Sequence, residues 1–313
     1  MRVLVALGGN AMTAADGSAG PGDQIAAVQQ AAGEIARLVA AGHEVVLTHG
    51  NGPQVGNLLV KNEVSAAVVP PVPLDWCGAQ TQGTIGFILL NALEAELAAV
   101  GCDVRPVAVV SRTLVDGDDP GFDRPTKPIG RHLPHDEAAV LIEHGQVWQD
   151  RGEKGWRRVV ASPTPLEVLE GPAITALLAA GLMVIAGGGG GIPVVRRSDG
   201  SLHGVEAVID KDLSAVVLAH AVRADVLVIA TDVENAIVGF GTPQARPIGR
   251  TTPAELAALA DEGHFASGSM GPKVDAVRRF VAEGGSLAVI TRLDRIDEAV
   301  GGDVGTAVHP DPS

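Results

Sequence analysis

The sequence predicts an α/β fold: an open, mainly parallel central sheet covered by helices on both faces, a three-layer sandwich with a small protruding lid subdomain. Three observations carry this prediction. Short apolar runs recur along the 313 residues, each ending in a loop and alternating with segments whose apolar residues have helical spacing. The runs are apolar at successive rather than alternate positions, the pattern of parallel strands buried on both sides. Hydrophobic residues make up 46% of the chain, ample for a well-buried core, and residues 1–313 are read as a single domain.

Residues 2–7 form the first run and end in Gly8-Gly9-Asn10; Ile25, Val28, Ile35, Leu38 and Val39 then mark a helix over 23–41. The unit repeats at 43–48, which runs into His49-Gly50-Asn51-Gly52-Pro53 and another helix. A long helix through Leu89, Leu93 and Leu97 precedes a strand over 104–110. Between about 114 and 160 the texture changes to Asp-Gly-Asp-Asp-Pro, prolines around Lys127, and scattered Trp148, Trp156, Arg151, Arg157 and Arg158. That stretch is too charged for another strand-helix layer and too apolar for a disordered linker, so it is expected to be an inserted lid. A helix over 171–180, a strand over 182–186, the glycines 187–191, a helix over 212–223 and a strand over 225–230 resume the rhythm. Helices near 253–262 and 272–283 and strands near 286–290 and 304–308 close the fold. Residues 1–185 and 186–313 are expected to form two functional halves.

Composition excludes several classes of function. A net charge of −14 without basic blocks argues against a nucleic-acid or anionic-membrane surface. With 3% aromatic residues and no Tyr, there is little from which to build base-stacking platforms. Two cysteines, Cys77 and Cys102, no C-x-x-C pair and no signal peptide point to a reducing cytoplasm. Residues 171–195 carry no formal charge over a length that would span a bilayer, but Gly181, the five successive glycines and Pro193 interrupt any single helix.

The informative residues are the lysines. There are only five, against eighteen arginines, and three stand in Gly/Pro-bounded turns: Lys127, Lys211 and Lys273. A compact, strongly hydrated ammonium suits phosphate oxygens as a point charge. Lys273 opens a helix, where a cation opposes the macrodipole at a cost of a few tenths to about 1 kcal/mol. A bound anion would reverse that sign, held by the helix N–H groups, the turn 267–271 and the ammonium.

The common nucleotide-binding, esterase and zinc-protease signatures are absent, and His132 and His135 lack the companions of a metal site, so no protein-held metal is assigned. What remains is a set of Gly-rich loops at strand ends: Gly8-Gly9-Asn10, Gly50-Asn51-Gly52, residues 187–191 and 268–271. In an open parallel sheet such loops share one rim, where glycine lets backbone N–H groups approach phosphate and Asn10 and Asn51 add side-chain donors. Four loops and three lysines on one rim point to phosphoryl transfer. Asp212, before an apolar helix, reads as its N-cap and as an acid that orients lysines.

The segments Ala6-Leu-Gly-Gly-Asn-Ala11, His49-Gly-Asn-Gly-Pro-Gln-Val-Gly-Asn-Leu-Leu59, Thr81-Gln-Gly-Thr-Ile-Gly86, Pro125-Thr-Lys-Pro-Ile-Gly130, Gly188-Gly-Gly-Gly-Ile-Pro-Val-Val195, Gly204-Val-Glu-Ala-Val-Ile-Asp-Lys-Asp212 and the stretch Gly263 to Lys273 resemble the carbamate kinases of the amino acid kinase superfamily. The resemblance covers nearly the whole chain. It implies reversible phosphoryl transfer between ATP and carbamate, run toward ATP synthesis in the breakdown of arginine or another carbamoyl donor. It also implies Mg²⁺ carried chiefly by nucleotide phosphates, and a homodimer built on the central sheet. The first Gly loop has no lysine, unlike many superfamily members, and the resemblance gives that role to Lys127. It implies that Lys211 and Lys273 meet the transferred phosphoryl group, organised by Asp212. The acceptor then lies at Gly8, Gly9, Asn10, Gly50, Asn51 and Gly52, and the nucleotide at Gly188, Gly189, Thr231, Asp232, Val233, Phe240, Ser269, Met270 and Gly271. Two other readings stay open: a sibling kinase for a larger carboxylate, which needs a clamp for the extra carboxylate, and a non-catalytic nucleotide or anion binder, which is expected to lose phosphate lysines.

Overall fold

The computed structural model describes residues 1–8, 20–265 and 270–311. In chain order, β1 (Arg2–Leu7), α1 (Pro21–Ala40), β2 (Glu44–His49), α2 (Gly52–Ser65), the long α3 (Leu74–Ala99) and β3 (Pro106–Ala108) come first. A middle stretch holds β4 (Arg112–Val115), α4 (Pro120–Asp123), β5 (Lys127–Leu133), α5 (His135–Glu143), β6 (Trp148–Asp150), β7 (Trp156–Val160) and β8 (Pro165–Val168). Then follow α6 (Gly171–Ala179), β9 (Met183–Ile185), β10 (Ile192–Arg196), β11 (Leu202–Gly204), α7 (Lys211–Ala221) and β12 (Val226–Thr231). The remaining elements are β13 (Ile237–Val238), β14 (Arg246–Pro247), β15 (Arg250–Thr251), α8 (Pro253–Asp261), α9 (Met270–Ala282), β16 (Leu287–Arg292), α10 (Ile296–Ala299) and β17 (Thr306–Val308).

Eight strands form the central sheet in the order β15-β17-β16-β12-β1-β2-β9-β3. Every neighbouring pair is parallel except β16 and β17. The continuous apolar runs have their expected cause. Side chains of β1 alternate between faces, so Val3, Val5 and Leu7 join one core with Ile35 of α1 and Leu89 and Leu93 of α3, while Leu4 and Ala6 join the other with Val216 of α7 and Val277 and Phe280 of α9. Each fully buried Leu, Ile or Phe here contributes about 1.5–3 kcal/mol. The predicted α/β architecture, with helices on both faces, is therefore present.

Two smaller sheets lie off the central one. β11-β10-β4-β8 form a four-stranded sheet, so strands from both sides of residue 185 share it. β5-β7-β6 form a three-stranded antiparallel sheet with a small core of Leu133, Ala138 and Trp148, against which Leu141 and Trp156 pack. Its first strand seats on α2, where a Cβ on Gly56 would lie 3.4 Å from Gly130 Cα, and Gly130 takes the left-handed φ of 67° at which the β5–β7 register shifts.

Two sequence expectations need correction, and a third, the broken-up stretch 171–195, is met. The strand expected over 104–110 is only Pro106–Ala108, because this edge strand pairs with the three-residue β9 alone. The β10–β11 hairpin was hidden behind the glycine run, which read as passing from loop to the next helix. The uncharged stretch 171–195 divides into α6, β9, a glycine turn and most of β10, and no helix among the described residues is long and apolar enough to cross a membrane.

Candidate active site

The carboxyl ends of β1, β2, β9 and β12 deliver their loops to one rim. Gly8 N donates to Ala230 O at 2.8 Å, Gly50 N to Leu7 O at 2.9 Å, and Ala186 N to Leu47 O at 2.9 Å, so the sheet register continues into the loops. The glycines after β9 are the most constrained part. Gly187, Gly189, Gly190 and Gly191 have φ of 68°, 68°, 92° and 87°. A Cβ would meet His49 Nε2 at 2.3 Å from Gly188, Asn51 Nδ2 at 2.2 Å from Gly189, Ile209 O at 2.6 Å from Gly190 and Thr113 Oγ1 at 2.0 Å from Gly191. Both the backbone angles and the space thus demand glycine.

Polar side chains from three elements and a strand-leading loop pin this turn. Thr48 Oγ1 donates to Gly187 O (3.0 Å), Gln82 Nε2 to Gly188 O (2.9 Å) and Thr113 Oγ1 to Gly190 O (2.9 Å), and Gly187 N donates to Ser111 Oγ (3.0 Å). Asn51, expected to add a donor to the rim, is buried and gives one amide hydrogen to Thr81 Oγ1 at 2.8 Å instead of capping α2. His49 is fully buried, and burial pushes its pKa down to about 4, with the Lys211 charge acting in the same direction against the hydrogen bond to Gly50 O. At neutral pH it is an uncharged imidazole.

A chain of charges crosses the rim beside the glycines. Lys211 Nζ donates to Asp212 Oδ1 at 2.5 Å and Lys273 Nζ to Asp212 Oδ2 at 3.2 Å, with the carboxylate side chain only 4% exposed. Burial alone would raise the Asp212 carboxyl, but the two ammonium groups and their hydrogen bonds hold it below the usual carboxylate range. Lys127, the first residue of β5, donates to Asp210 Oδ2 at 2.7 Å. Asp210 Oδ1 accepts from Asp212 N at 2.9 Å and Leu213 N at 3.3 Å. This corrects the reading of Asp212 as N-cap: α7 starts at Lys211, one residue earlier than expected, so Asp210 is the cap and both oxygens of Asp212 are left to the lysines.

The structure thus brings Lys127, Lys211, Lys273 and Asp212 into one network. The sequence reading missed Asp210, His49, Gln82, Ser111 and Thr113 as parts of the site. The available signal was a polar residue placed where an apolar one fits the pattern, as with Thr48 and His49 ending the run Val45-Val46-Leu47.

The profile of the amino acid kinase family matches residues 1–292. The chain belongs to that family. Among amino acid kinases it is 43% identical to the carbamate kinase of Pyrococcus furiosus over 99% of both chains, and 45% identical to that of Thermococcus kodakarensis over 98% of both. The solved structure of the Giardia lamblia carbamate kinase bound to AMP-PNP superposes with a TM-score of 0.93 at 41% identity, covering 99% of this chain and 98% of that one.

In this amino acid kinase the remaining expected residues lie as follows. Gly8 and Gly50 follow β1 and β2, and Gly52 is the first residue of α2, whose N-terminus has no side-chain cap. Gly188 and Gly189 are buried in the pinned turn. Thr231 closes β12 and donates to Asp232 Oδ1 at 3.0 Å; Val233 follows, 37% exposed. Phe240 stands between β13 and β14, 78% exposed. Met270 and Gly271 begin α9. Gly9, Asn10 and Ser269 lie outside the described residues.

Proposed function

We propose that this chain is a carbamate kinase, transferring a phosphoryl group between ATP and carbamate and working chiefly toward ATP from ADP and carbamoyl phosphate. The observation that carries the reading is the network of three lysines on two carboxylates at the glycine rim, in a chain similar to carbamate kinases over its whole length. Carbamate is already an anion at neutral pH, so direct in-line transfer needs no general base. The protein's task is to align two anions and spread the transition-state charge over Lys127, Lys211, Lys273 and backbone N–H groups. The acceptor sits by Gly8, Gly9, Asn10, Gly50, Asn51 and Gly52. The nucleotide sits by Gly188, Gly189, the segment Thr231-Asp232-Val233, the exposed Phe240 and the head of α9 at Ser269, Met270 and Gly271. Residues 1–185 serve the acceptor, 186–313 the nucleotide, and 114–160 form the lid that brings Lys127.

Mg²⁺ fits this site as an ion carried by the nucleotide. Among the described residues no three Asp, Glu, His or Cys side chains are placed to hold a metal ion, and Asp210 and Asp212 are both engaged by ammonium groups. Bound with ATP, the ion would supply charge neutralisation between the β- and γ-phosphates.

A homodimer follows from the same resemblance and has a surface to use. Trp76 and Phe87, eleven positions apart on α3, are 60% and 62% exposed, and Val110 beyond the edge strand β3 is 60% exposed. The free Cys77 and Cys102 suit a reducing cytoplasm.

The test is a coupled assay for ATP formation from ADP, Mg²⁺ and carbamoyl phosphate, beside acetylglutamyl phosphate formation from ATP. Turnover confined to the first mixture is expected. Turnover in the second would favour a kinase for a larger carboxylate, and ATP binding with turnover in neither would favour a non-catalytic binder.

A further inference from the structure

We infer that Asp210 is a positioning residue for phosphoryl transfer: one carboxylate oxygen starts the helix that carries Lys211 and Asp212, and the other aims Lys127 from β5 of the three-stranded sheet. The inference rests on the carbamate kinase reading above. Its first support is the division of one carboxylate between two tasks. Oδ1 accepts two N–H donors of the α7 N-terminus, those of Asp212 and Leu213, and Oδ2 accepts Lys127 Nζ at 2.7 Å. A residue that only capped the helix would not need charge, since Ser, Thr or Asn would serve.

The second support is which partner is fixed. The Asp210 side chain is 13% exposed and that of Lys127 32%. The backbone just before Asp210 is wedged against the glycine turn, where a Cβ on Gly190 would strike Ile209 O at 2.6 Å. Asp210 therefore belongs to the rigid rim, and Lys127 is the member that is held.

The third support is the backbone. Ala161, directly after β7, bridges Ala207 in parallel, and Val208 N donates to Ala161 O at 2.9 Å. Thr126 N, just before Lys127, donates to Val160 O at 3.2 Å. The paired ends of β5 and β7 are thus stitched to the segment that leads, two residues later, into Asp210. Lysine and aspartate meet at the joint itself, so the ion pair sets the direction of the side chain and adds to the backbone hydrogen bonds that hold the start of β5 against the rim. An ammonium has three donors, and Asp210 occupies one, leaving two for phosphate oxygens.

Asp210→Asn keeps an oxygen for the helix donors and removes the charge that Lys127 meets. ATP formation is measured for the wild type, Asp210→Asn, Lys127→Ala and the double variant, with amide hydrogen exchange followed over residues 127–133 in each. Asp210→Asn should lower kcat at least about tenfold alone but less than about twofold on top of Lys127→Ala, with KM for ADP within about twofold and faster exchange over 127–133. Equal losses in both backgrounds, or wild-type turnover, would reduce Asp210 to a helix cap. If the wild type itself forms no ATP, the carbamate kinase reading is what fails, and exchange decides alone: unchanged protection over 127–133 overturns the link and faster exchange upholds it. Should Asp210→Asn fold poorly, Asp210→Ser, a shorter cap without charge, replaces it in the same comparison.

Discussion

Two lysine–carboxylate contacts stand two residues apart in sequence and are built differently. At Asp212 a carboxylate 4% exposed holds Lys211 from its own helix and Lys273 from α9, so the whole group lies within the packed layers of the central sheet. At Asp210 the carboxylate reaches out to Lys127, 32% exposed, on a three-stranded sheet that has a small core of its own and packs Ile129 and Val160 against α2 and α3. The first contact is a fixture of the central layers; the second joins them to the three-stranded sheet. Like chemistry therefore carries different mechanical roles, and substitutions at the two places should separate stability from turnover.

The largest effect belongs to Asp212→Asn. It leaves two ammonium groups facing an amide in a site where removing one partner of a buried ion pair costs about 3–5 kcal/mol. We expect kcat to fall at least about a hundredfold through misplacement of Lys211 and Lys273, together with a lower melting temperature. Wild-type kinetics would remove Asp212 from the organisation of the site. The same carboxylate sets an acid limit. Its folded pKa lies below the ordinary value of 3.8, so its contribution is present above that pH and is lost as pH falls below it through the folded pKa.

Next comes Lys127→Ala, with kcat lower by at least about tenfold and stability changed by less than about 1 kcal/mol, because a partly exposed ammonium acts mainly in the transition state. Steady-state kinetics beside a denaturant melt measure the two separately. A large loss of stability with unchanged turnover would reverse the contrast drawn between the two carboxylates.

The rim also carries a prediction about pH. His49 is buried neutral, with a pKa lowered from 6.5 to about 4. Its folded form binds fewer protons than its unfolded form between those values, so stability is complete above about pH 6.5 and declines as pH falls toward 4, by on the order of 3 kcal/mol. Denaturant midpoints at pH 7, 5.5 and 4.5 should show this slope in the wild type and a shallower one in His49→Gln. Equal slopes would assign the acid sensitivity to other groups.

The central sheet was legible because burial on both faces forces continuous apolar runs, and Val226-Leu227-Val228-Ile229-Ala230 can be little else. The lysines were legible because they are few. The partners of the glycine turn were not, since Gln82 sits on a long helix whose apolar neighbours show no cue for it, and only the fold carries it to Ser111 and Gly188. Asp210 was hard to single out for a local reason: in Asp-Lys-Asp either acid can cap, and the choice depends on whether the helix starts at Lys211 or two residues later, at Leu213.

The smallest expected effect tests what holds the three-stranded sheet to the body. Arg131 on β5 and Glu63 on α2 approach to 3.5 Å with side chains 51% and 27% exposed. An exposed pair of this kind contributes about 0–1 kcal/mol, whereas the close seat of Gly130 on Gly56 and the stitched joint at Ala161 are packing and backbone contacts that salt does not screen. Glu63→Gln should therefore leave the melting temperature within about 2 °C and kcat within about twofold, in low and high salt alike. If it instead cost turnover comparable to Asp210→Asn, the three-stranded sheet would be held by surface charge, and Lys127 would owe its direction to the far end of β5 rather than to the joint.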